Sequence, residues 1–454
     1  MRIFKARHIL RRLFDHEYSW QRIMLLALIV RVVLLVLFGD TPLEGDALQY
    51  HDAALQLLGG EGPDTYWPPG LPLYECLWIL AFGKSVLVAR ISAIPWFLML
   101  CRSFYGMAYQ LHSRMAANLG LAVLAFFPAF VHQSIEPLSY LPAAALLMGL
   151  FGQLQQYLQD KKGRRITRGG ILLGLLILFR PSALLYLLTL PAMIMVRRKK
   201  FMPSFIFGSI AVGIVFSWVY FASDWSGHRV IVNDANSRNF YLGNNEWTPS
   251  YKTWYFGSHW TGHPDLPLGF RNEIDSLDQL PADDRGKAYS KVAWQNIKKR
   301  PLEFGWRTFS RARTLMAFDS FAGTRLLSAN DKRGYIVLGL DAFFYCMVVI
   351  LAMLFWFTKA QREFAGRHAA LMSLFLFTYA IPYLIAFSHP SYHLPMLPIL
   401  LLAAVVWLQN FFTKGVGIAF PSWRKGKGWK AWLLILLFIC IQIEWLIRMT
   451  NSTF

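Results

Sequence analysis

At 454 residues, 55% of them hydrophobic, the chain is too apolar for a soluble globule whose surface must be wetted, and its mean hydropathy of +0.36 agrees. A formal net charge of +20 in such a chain points to loops that face anionic lipid and not to nucleic acid. The four cysteines form no CxxC pair: Cys101, Cys346 and Cys440 fall inside apolar runs and Cys76 stands alone in a loop, which excludes a disulfide framework.

The opening segment MRIFKARHILRRLFDHEYSWQR is too long and too charged for a signal-peptide n-region, and no small-residue cleavage site follows the first apolar run. That run, 21–39, is predicted to be a retained anchor. Further apolar stretches lie at 85–108, 116–132, 138–157, 169–180, 182–196, 202–221, 334–357, 368–387, 393–413 and 431–449. Most reach the ~20 residues that cross a ~30 Å hydrocarbon core as helix. The stretches 169–180 and 182–196 are too short, and they meet at Arg180-Pro181, where proline lacks an N–H and biases the preceding residue out of helix. A re-entrant hairpin is predicted there, flanked by the cation-rich KKGRRITR at 161–168 and RRKK at 197–200.

The remaining basic loops alternate along the chain: the N-terminal segment, HSR at 112–114, the stretch from Lys359 to Arg367, and Lys414 to Lys430. By the positive-inside rule these are cytoplasmic, which puts residues 40–84, 133–137, 222–333 and 388–392 outside. The predicted fold is an all-α polytopic membrane protein with about eleven membrane segments, including the re-entrant hairpin, in one domain spanning 1–454. The first external loop is 40–84 and the large external loop is 222–333. The latter carries Trp247, Trp254, Trp260, Trp294 and Trp306 among its charges, so it is predicted to form amphipathic helices on the interface.

Chemistry-bearing residues collect in these external stretches. In TPLEGDALQYHDAALQLLGG, Leu48, Leu55 and Leu58 recur at helical spacing, so an interfacial helix is predicted to start near Asp46. Asp46 and Tyr50, four apart, share a face, while Asp52 points elsewhere. Asp46 is the candidate for a cleft, although a carboxylate there also complements the helix dipole. Glu136, just before Pro137, has the same two readings: an acid suited to the dipole, or one that faces water, a partner or a substrate. Arg180 at the hairpin tip costs about 2.5–3.5 kcal/mol at bilayer depth and needs an anion, or must snorkel outward. His389 and His393 begin a span four apart, but Pro390 interrupts regular helix between them, which counts against joint metal ligation. No DxD, HExxH, GxSxG or P-loop motif occurs.

Together GDALQYHDAALQLL, WPPGLPLY at 67–74, IEPL at 135–138, LFRPSALLYLLTLP at 178–191, GNNEWTP at 243–249 and YHLPMLP at 392–398 resemble, in this order, the C-type integral-membrane glycosyltransferases. The likeness is to the branch related to protein mannosyltransferases and lipid A aminoarabinose transferase, and it covers nearly the whole chain. It implies transfer of a sugar from a polyprenyl-phosphate donor to a lipid, glycan or protein acceptor, on the external or periplasmic side of the inner (plasma) membrane. Asp46 matches the family's catalytic acid and Glu136-Pro137 the acid-proline pair of the second external loop, so Asp46 and Glu136 are the catalytic candidates, Glu136 orienting the acceptor or the surroundings of Asp46. Tyr50, Arg180, Asn244, Asn245, His389 and His393 become candidate substrate-binding residues, with the arginine and the histidines stabilising the leaving phosphate. Asp46 would take the acceptor proton during in-line attack with inversion. No cofactor is firmly implied; a divalent cation stays open, since some members use one and others do not.

The chain departs from the aminoarabinose branch at Gln49, where that branch has arginine, and at Pro68-Pro69, where it has lysine before proline, so donor identity does not carry over. It has no counterpart of the large soluble domains of oligosaccharyltransferases, nor of the extra lumenal repeats of protein mannosyltransferases. A lipid or small glycan acceptor is therefore expected ahead of protein. A polyprenyl-linked glycan transporter and a glycan polymerase are the alternatives, and the external clustering of the acids favours transfer chemistry over transport.

Overall fold

The computed structural model describes residues 13–249, 266–358, 366–414 and 428–451. Trp254 and Trp260, and most of the basic stretches at 359–367 and 414–430, lie outside these residues, as do the first twelve residues of the basic N-terminal segment. All regular structure among the described residues is helical. Backbone in hydrocarbon must satisfy its own hydrogen bonds, and long apolar runs do so as helix.

Ser19–Phe38 (α1) shows the pattern: Leu25, Ile29, Val32 and Val36 are exposed, while Ala27 and Arg31 are buried. Seven helical segments among the described residues are long and apolar enough to cross a bilayer: α1, Val86–Leu111, Phe201–Ser226, Arg333–Phe357, His368–Ile385, Pro390–Phe412 and Gly428–Met449. Several leave large apolar side chains on their outer faces, among them Phe205, Phe216, Ile336, Phe343 and Phe377, as a lipid-facing surface requires.

After α1 come Gly45–Gly59 (α2) and Gly70–Phe82 (α3), then Val86–Ile91 (α4) and Ile94–Leu111 (α5). The interfacial helix expected near Asp46 is α2. The apolar α3 was not among the expected segments; with 13 residues it is too short to cross, and it carries a buried Glu75 that meets His51 of α2 at 3.0 Å. Arg114–Phe126 (α6) and Pro128–Gln133 (α7) divide the predicted stretch 116–132 at Pro128.

Tyr140–Asp160 (α8) is the central helix, buried along most of its length and packed against α5 and Gly163–Phe179 (α9). The chain turns at Arg180-Pro181 through a short 3-10 segment, Pro181–Leu185, into Tyr186–Arg198 (α10). Phe201–Ser226 (α11) packs on both α9 and α10. The α9 contact needs small residues: a β-carbon on Gly170 would stand 2.8 Å from the Phe207 carbonyl oxygen, and one on Gly174 2.8 Å from Ile214 Cβ. Close approach through glycine is how helices gain packing energy where lipid removes the hydrophobic driving force.

The large loop folds into Ala235–Asn244 (α12), Leu268–Asp278 (α13), Ala282–Lys299 (α14), Pro301–Leu315 (α15) and Phe321–Ser328 (α16). Tyr241, Leu242, Phe270, Ile274, Leu277 and Tyr289 make a small core of its own. Arg333–Phe357 (α17), Gly366–Ile385 (α18), a 3-10 segment Pro390–Met396, Leu397–Lys414 (α19) and Gly428–Asn451 (α20) complete the chain.

One side chain fastens the loop to the membrane helices. Arg311, fully buried on α15, donates to the carbonyls of Leu384 (3.1 Å), Ile385 (2.9 Å) and Gly243, and to Asn244 Oδ1 (2.9 Å). Gly243 has no room for a side chain, because a β-carbon there would meet the Ala386 carbonyl at 1.7 Å. We expect Arg311→Leu, which strands these acceptors in the interior, to destabilise the protein by about 2–4 kcal/mol. Thermal melting in detergent checks this, and an unchanged midpoint would contradict it.

Candidate active site

On the loop face, α2, the turn after α9, α12 and the end of α18 enclose a cavity of about 410 Å³. Asp46, Tyr50, Tyr140, Arg180, Tyr383 and Tyr392 line it, together with Tyr66, Trp67, Asn233, Asn236 and Asn239. Local sequence explains how the two charged groups arrive. Gly45 adopts a left-handed backbone (φ +55°), which only glycine takes without cost, and it starts α2 so that the half-buried Asp46 stands in the first turn. Tyr50, one turn on, is buried beside it, as the i, i+4 spacing requires.

Arg180 follows the last turn of α9 in extended backbone (φ −145°, ψ 96°), because Pro181 disfavours helix at the residue before it. Gly70 of WPPG packs directly on Phe179, where a β-carbon would clash at 2.6 Å, and this brings Trp67 and Pro68 to the same cavity wall as Arg180.

The Arg180 guanidinium lies over the Tyr140 ring at 3.9 Å and 5.4 Å from the Tyr392 ring centre. Its buried Nε has no hydrogen-bond partner among the described residues. Cation–π contact holds such a group without neutralising it. Hydroxyls continue the wall: Ser182 Oγ and Tyr383 Oη are 2.7 Å apart, and Tyr383 donates to Tyr379 at 3.2 Å. Burial pushes the Tyr50 phenol up to about 12, with the Arg180 charge opposing, so it stays protonated, 3.3 Å from Ser139 Oγ.

A smaller cavity of about 240 Å³ adjoins the first, and Asp46, Tyr140, Phe387 and Tyr392 line both. Glu44, Gln133, Glu136, His389 and Ser391 complete its wall. Glu136 is buried between two arginines, Arg90 and Arg325, the latter at 3.0 Å; Arg325 also reaches Glu44 at 3.2 Å. Arg90 donates further to Thr41 and to the Ile135 carbonyl. Held in this way, Glu136 ties together the first, second and large loops around Asp46.

The structure thus brings Asp46, Tyr50 and Arg180 into one cavity and puts Glu136 and His389 in its neighbour. Asn244, Asn245 and His393 line neither. The Asn244 amide donates to the Phe240 and Ile385 carbonyls, and that of Asn245 to Tyr241 and Leu242, so both asparagines fold the GNNEWTP turn and Asn244 anchors it to α18. His393 is buried on the Tyr345 ring, centroids 4.4 Å apart, with Nδ1 3.1 Å from the Leu315 carbonyl oxygen. Sequence reasoning passed over Tyr140, Tyr383, Tyr392 and the cavity asparagines; Tyr392 stands between the two histidines that drew attention instead. Among the described residues no group of three His, Cys, Asp or Glu side chains is placed to hold a metal ion.

These features describe an all-α polytopic membrane protein with a polar, aromatic-walled cavity at the end of its helices. No family model matches the sequence, and a search of curated proteins gives no match. Among solved structures, the chain is similar to the Archaeoglobus fulgidus oligosaccharyltransferase in its apo form, with 12% identity, a TM-score of 0.49, and coverage of 96% of this chain and 56% of that one. It thus spans a little over half of that enzyme's length. It is also similar to the same organism's oligosaccharyltransferase AglB in complex with an inhibitory peptide and a dolichol-phosphate (13%, TM-score 0.44, 95% and 55%). A third is ArnT, the lipid A aminoarabinose transferase, of Cupriavidus metallidurans in the apo state (14%, TM-score 0.40, 86% and 78%). At TM-scores below 0.5 these superpositions carry no chemistry, which has to come from the side chains.

One contact at the cavity rim is pH-dependent. His228 meets Asp234 at 3.0 Å, and Asp234 accepts from Thr65 Oγ1 at 2.6 Å, joining the large loop to the first loop. Partial burial works against the imidazolium, but the hydrogen bond and charge of Asp234 outweigh it and raise the His228 pKa above 6.5. The raised value means that the stabilisation is complete below about pH 6.5 and fades as pH rises through the folded-state pKa. We expect hydrogen-exchange protection in segments 63–67 and 228–235, taken relative to the intrinsic base-catalysed rate, to fall over that rise, and Asp234→Asn to remove this fall.

Proposed function

We propose that this protein transfers a sugar from a polyprenyl-phosphate-linked donor to an acceptor bound on the loop face, which we take to be the external or periplasmic face of the inner membrane. The observation that carries the reading is Arg180: a guanidinium held over aromatic rings in a cavity whose wall it shares with Asp46. An arginine set among apolar helices favours an anion, and a lipid phosphate supplies one at this depth.

In this mechanism the acceptor hydroxyl or amine attacks the anomeric carbon while the bond from that carbon to the phosphate oxygen breaks. The polyprenyl phosphate leaves with the electron pair, and Arg180 stabilises its charge. Asp46 takes the acceptor proton, and in-line displacement inverts the anomeric centre. Glu136, held by Arg90 and Arg325, keeps the loops around Asp46 in register. Tyr50, Tyr383 and the asparagines at 233, 236 and 239 are placed to meet sugar hydroxyls.

The test is a transfer assay with the purified chain, a panel of polyprenyl-phosphate sugars and cell-envelope acceptors. With a pair that the parent turns over, Asp46→Asn should lower kcat/KM by about two or more orders of magnitude while the melting temperature holds. A dipole-complementing role would cost only about 0.3–1 kcal/mol of stability and leave transfer intact. Arg180→Gln should weaken donor binding and turnover together, whereas unchanged kinetics in a folded variant would return Arg180 to a structural role. A transporter would carry the lipid-linked glycan without any transfer.

A further inference from the structure

Where the large loop meets the first loop, one side chain of the cavity wall is held by strained backbone. Val232 has φ +68°, a conformation that a β-branched residue rarely adopts. The Asn233 N–H donates across it to the Ile231 carbonyl at 2.9 Å, which makes a γ-turn of the rarer, strained hand. Such a turn persists only where its surroundings over-determine it. Here Val232 is fully buried in the main core, and its carbonyl accepts from Trp218 Nε1 of α11 at 2.8 Å.

The neighbouring contacts fix the sense of the Asn233 amide. Its Nδ2 donates to the Tyr66 carbonyl at 3.0 Å, and beside it the Asp234 N–H donates to the Thr65 carbonyl at 2.8 Å. A carbonyl only accepts, so the amide nitrogen has to face Tyr66 and the oxygen is the atom left over. Asn233 lines the cavity with Trp67, is 6% exposed, and its Oδ1 has no hydrogen-bond partner among the described residues. A buried acceptor is normally satisfied, and leaving one unpaired is costly. Joining the two loops does not require it, since Asp234 already bonds Thr65 through both backbone and side chain. Asn236 and Asn239 lie on the same wall but are less buried, so water satisfies them more readily and they discriminate less.

We infer that Asn233 selects the donor sugar, its carboxamide oxygen accepting a hydrogen bond from one ring hydroxyl of the sugar in the cavity. The inference rests on the transfer reaction proposed above. Because an amide oxygen only accepts, the group that meets it must donate. The class of sugar follows: a neutral one with a free hydroxyl at that position. A deoxy or O-acylated sugar leaves Oδ1 unpaired, and a carboxylate there repels it. An ammonium group would also donate, but burying one calls for a counter-charge that a neutral amide does not supply.

The experiment is a transfer assay of the full chain with a donor that the parent turns over and with its monodeoxy and deoxyfluoro analogues, one ring hydroxyl at a time. Fluorine can accept but cannot donate. At one position both analogues should lower the parent's kcat/KM by about tenfold or more. Asn233→Ala should lower kcat/KM for the full donor by the same factor and leave those two analogues near the parent's values, so that the discrimination collapses. Comparing variant and parent on the same analogue cancels the inductive effect of fluorine. A purely anchoring role would lower all donors alike. Asn233→Asp keeps the size and an acceptor oxygen while giving up the donor to Tyr66, so it should keep the discrimination, and it carries the test if Asn233→Ala does not fold. The assignment is overturned if no position rejects both analogues, if the discrimination survives Asn233→Ala at every position, if that variant slows all donors equally, or if Asn233→Asp loses the discrimination. If the parent transfers no polyprenyl-phosphate sugar at all, the transfer reading itself falls and the Asn233 assignment with it, an outcome distinct from all the others.

Discussion

A guanidinium set among apolar helices cannot be left to itself: it keeps its proton in any accessible pH range, and hydrocarbon offers it no water. This constraint organises the protein. Arg31, fully buried in α1, donates to the Ala27 and Ala125 carbonyls at 2.9 and 3.0 Å and lies 3.6 Å from the centre of the Phe97 ring. Arg311 closes on three carbonyls and an amide, and Arg313 on Glu444 at 2.5 Å, bringing α15 onto α20. Arg90 closes on Glu136. In each case a cation that is costly alone becomes a tie between segments distant in sequence, and removing one partner would cost more than the tie contributes.

Arg180 stands apart from this set. Its partners are ring faces, which attract the cation without cancelling its charge, so a field remains directed into the cavity where Asp46 stands. The other arginines brace that arrangement. The Arg90–Glu136–Arg325–Glu44 cluster gathers three loops behind Asp46, and Arg311 holds the large loop against the end of α18, which supplies Tyr383 to the same wall. Stability and site are thus built from one residue type in two settings, saturated and unsaturated.

Much of this was legible in the sequence, for reasons that differ by residue. Apolar runs near twenty residues leave helix as the one solution in lipid, so the span positions follow closely, and Gly45-Asp46 followed by helical leucine spacing located α2. Arg180 was conspicuous because charge is rare in such runs and Pro181 fixes where the helix ends. The sequence was silent where contact is non-local. Nothing near Glu136 announces that Arg90 and Arg325, 46 and 189 residues away, will enclose it. Asn244 and Asn245 looked like ligand contacts because polar side chains at a loop turn serve either purpose, and here the buried carbonyls of α12 and α18 claim them. Tyrosines at 140, 383 and 392 carry no signal of their own in a chain with 19 of them; only the fold makes them a cluster.

The central claim is that a lipid-borne phosphate occupies the space between Arg180 and Asp46. Cryo-electron microscopy of the full chain in nanodiscs with undecaprenyl phosphate tests it most directly. The account expects phosphate density within hydrogen-bonding distance of the Arg180 guanidinium, inside the Tyr140–Tyr383–Tyr392 wall. A phosphate held elsewhere, with the cavity filled by side chains or by solvent alone, would contradict it.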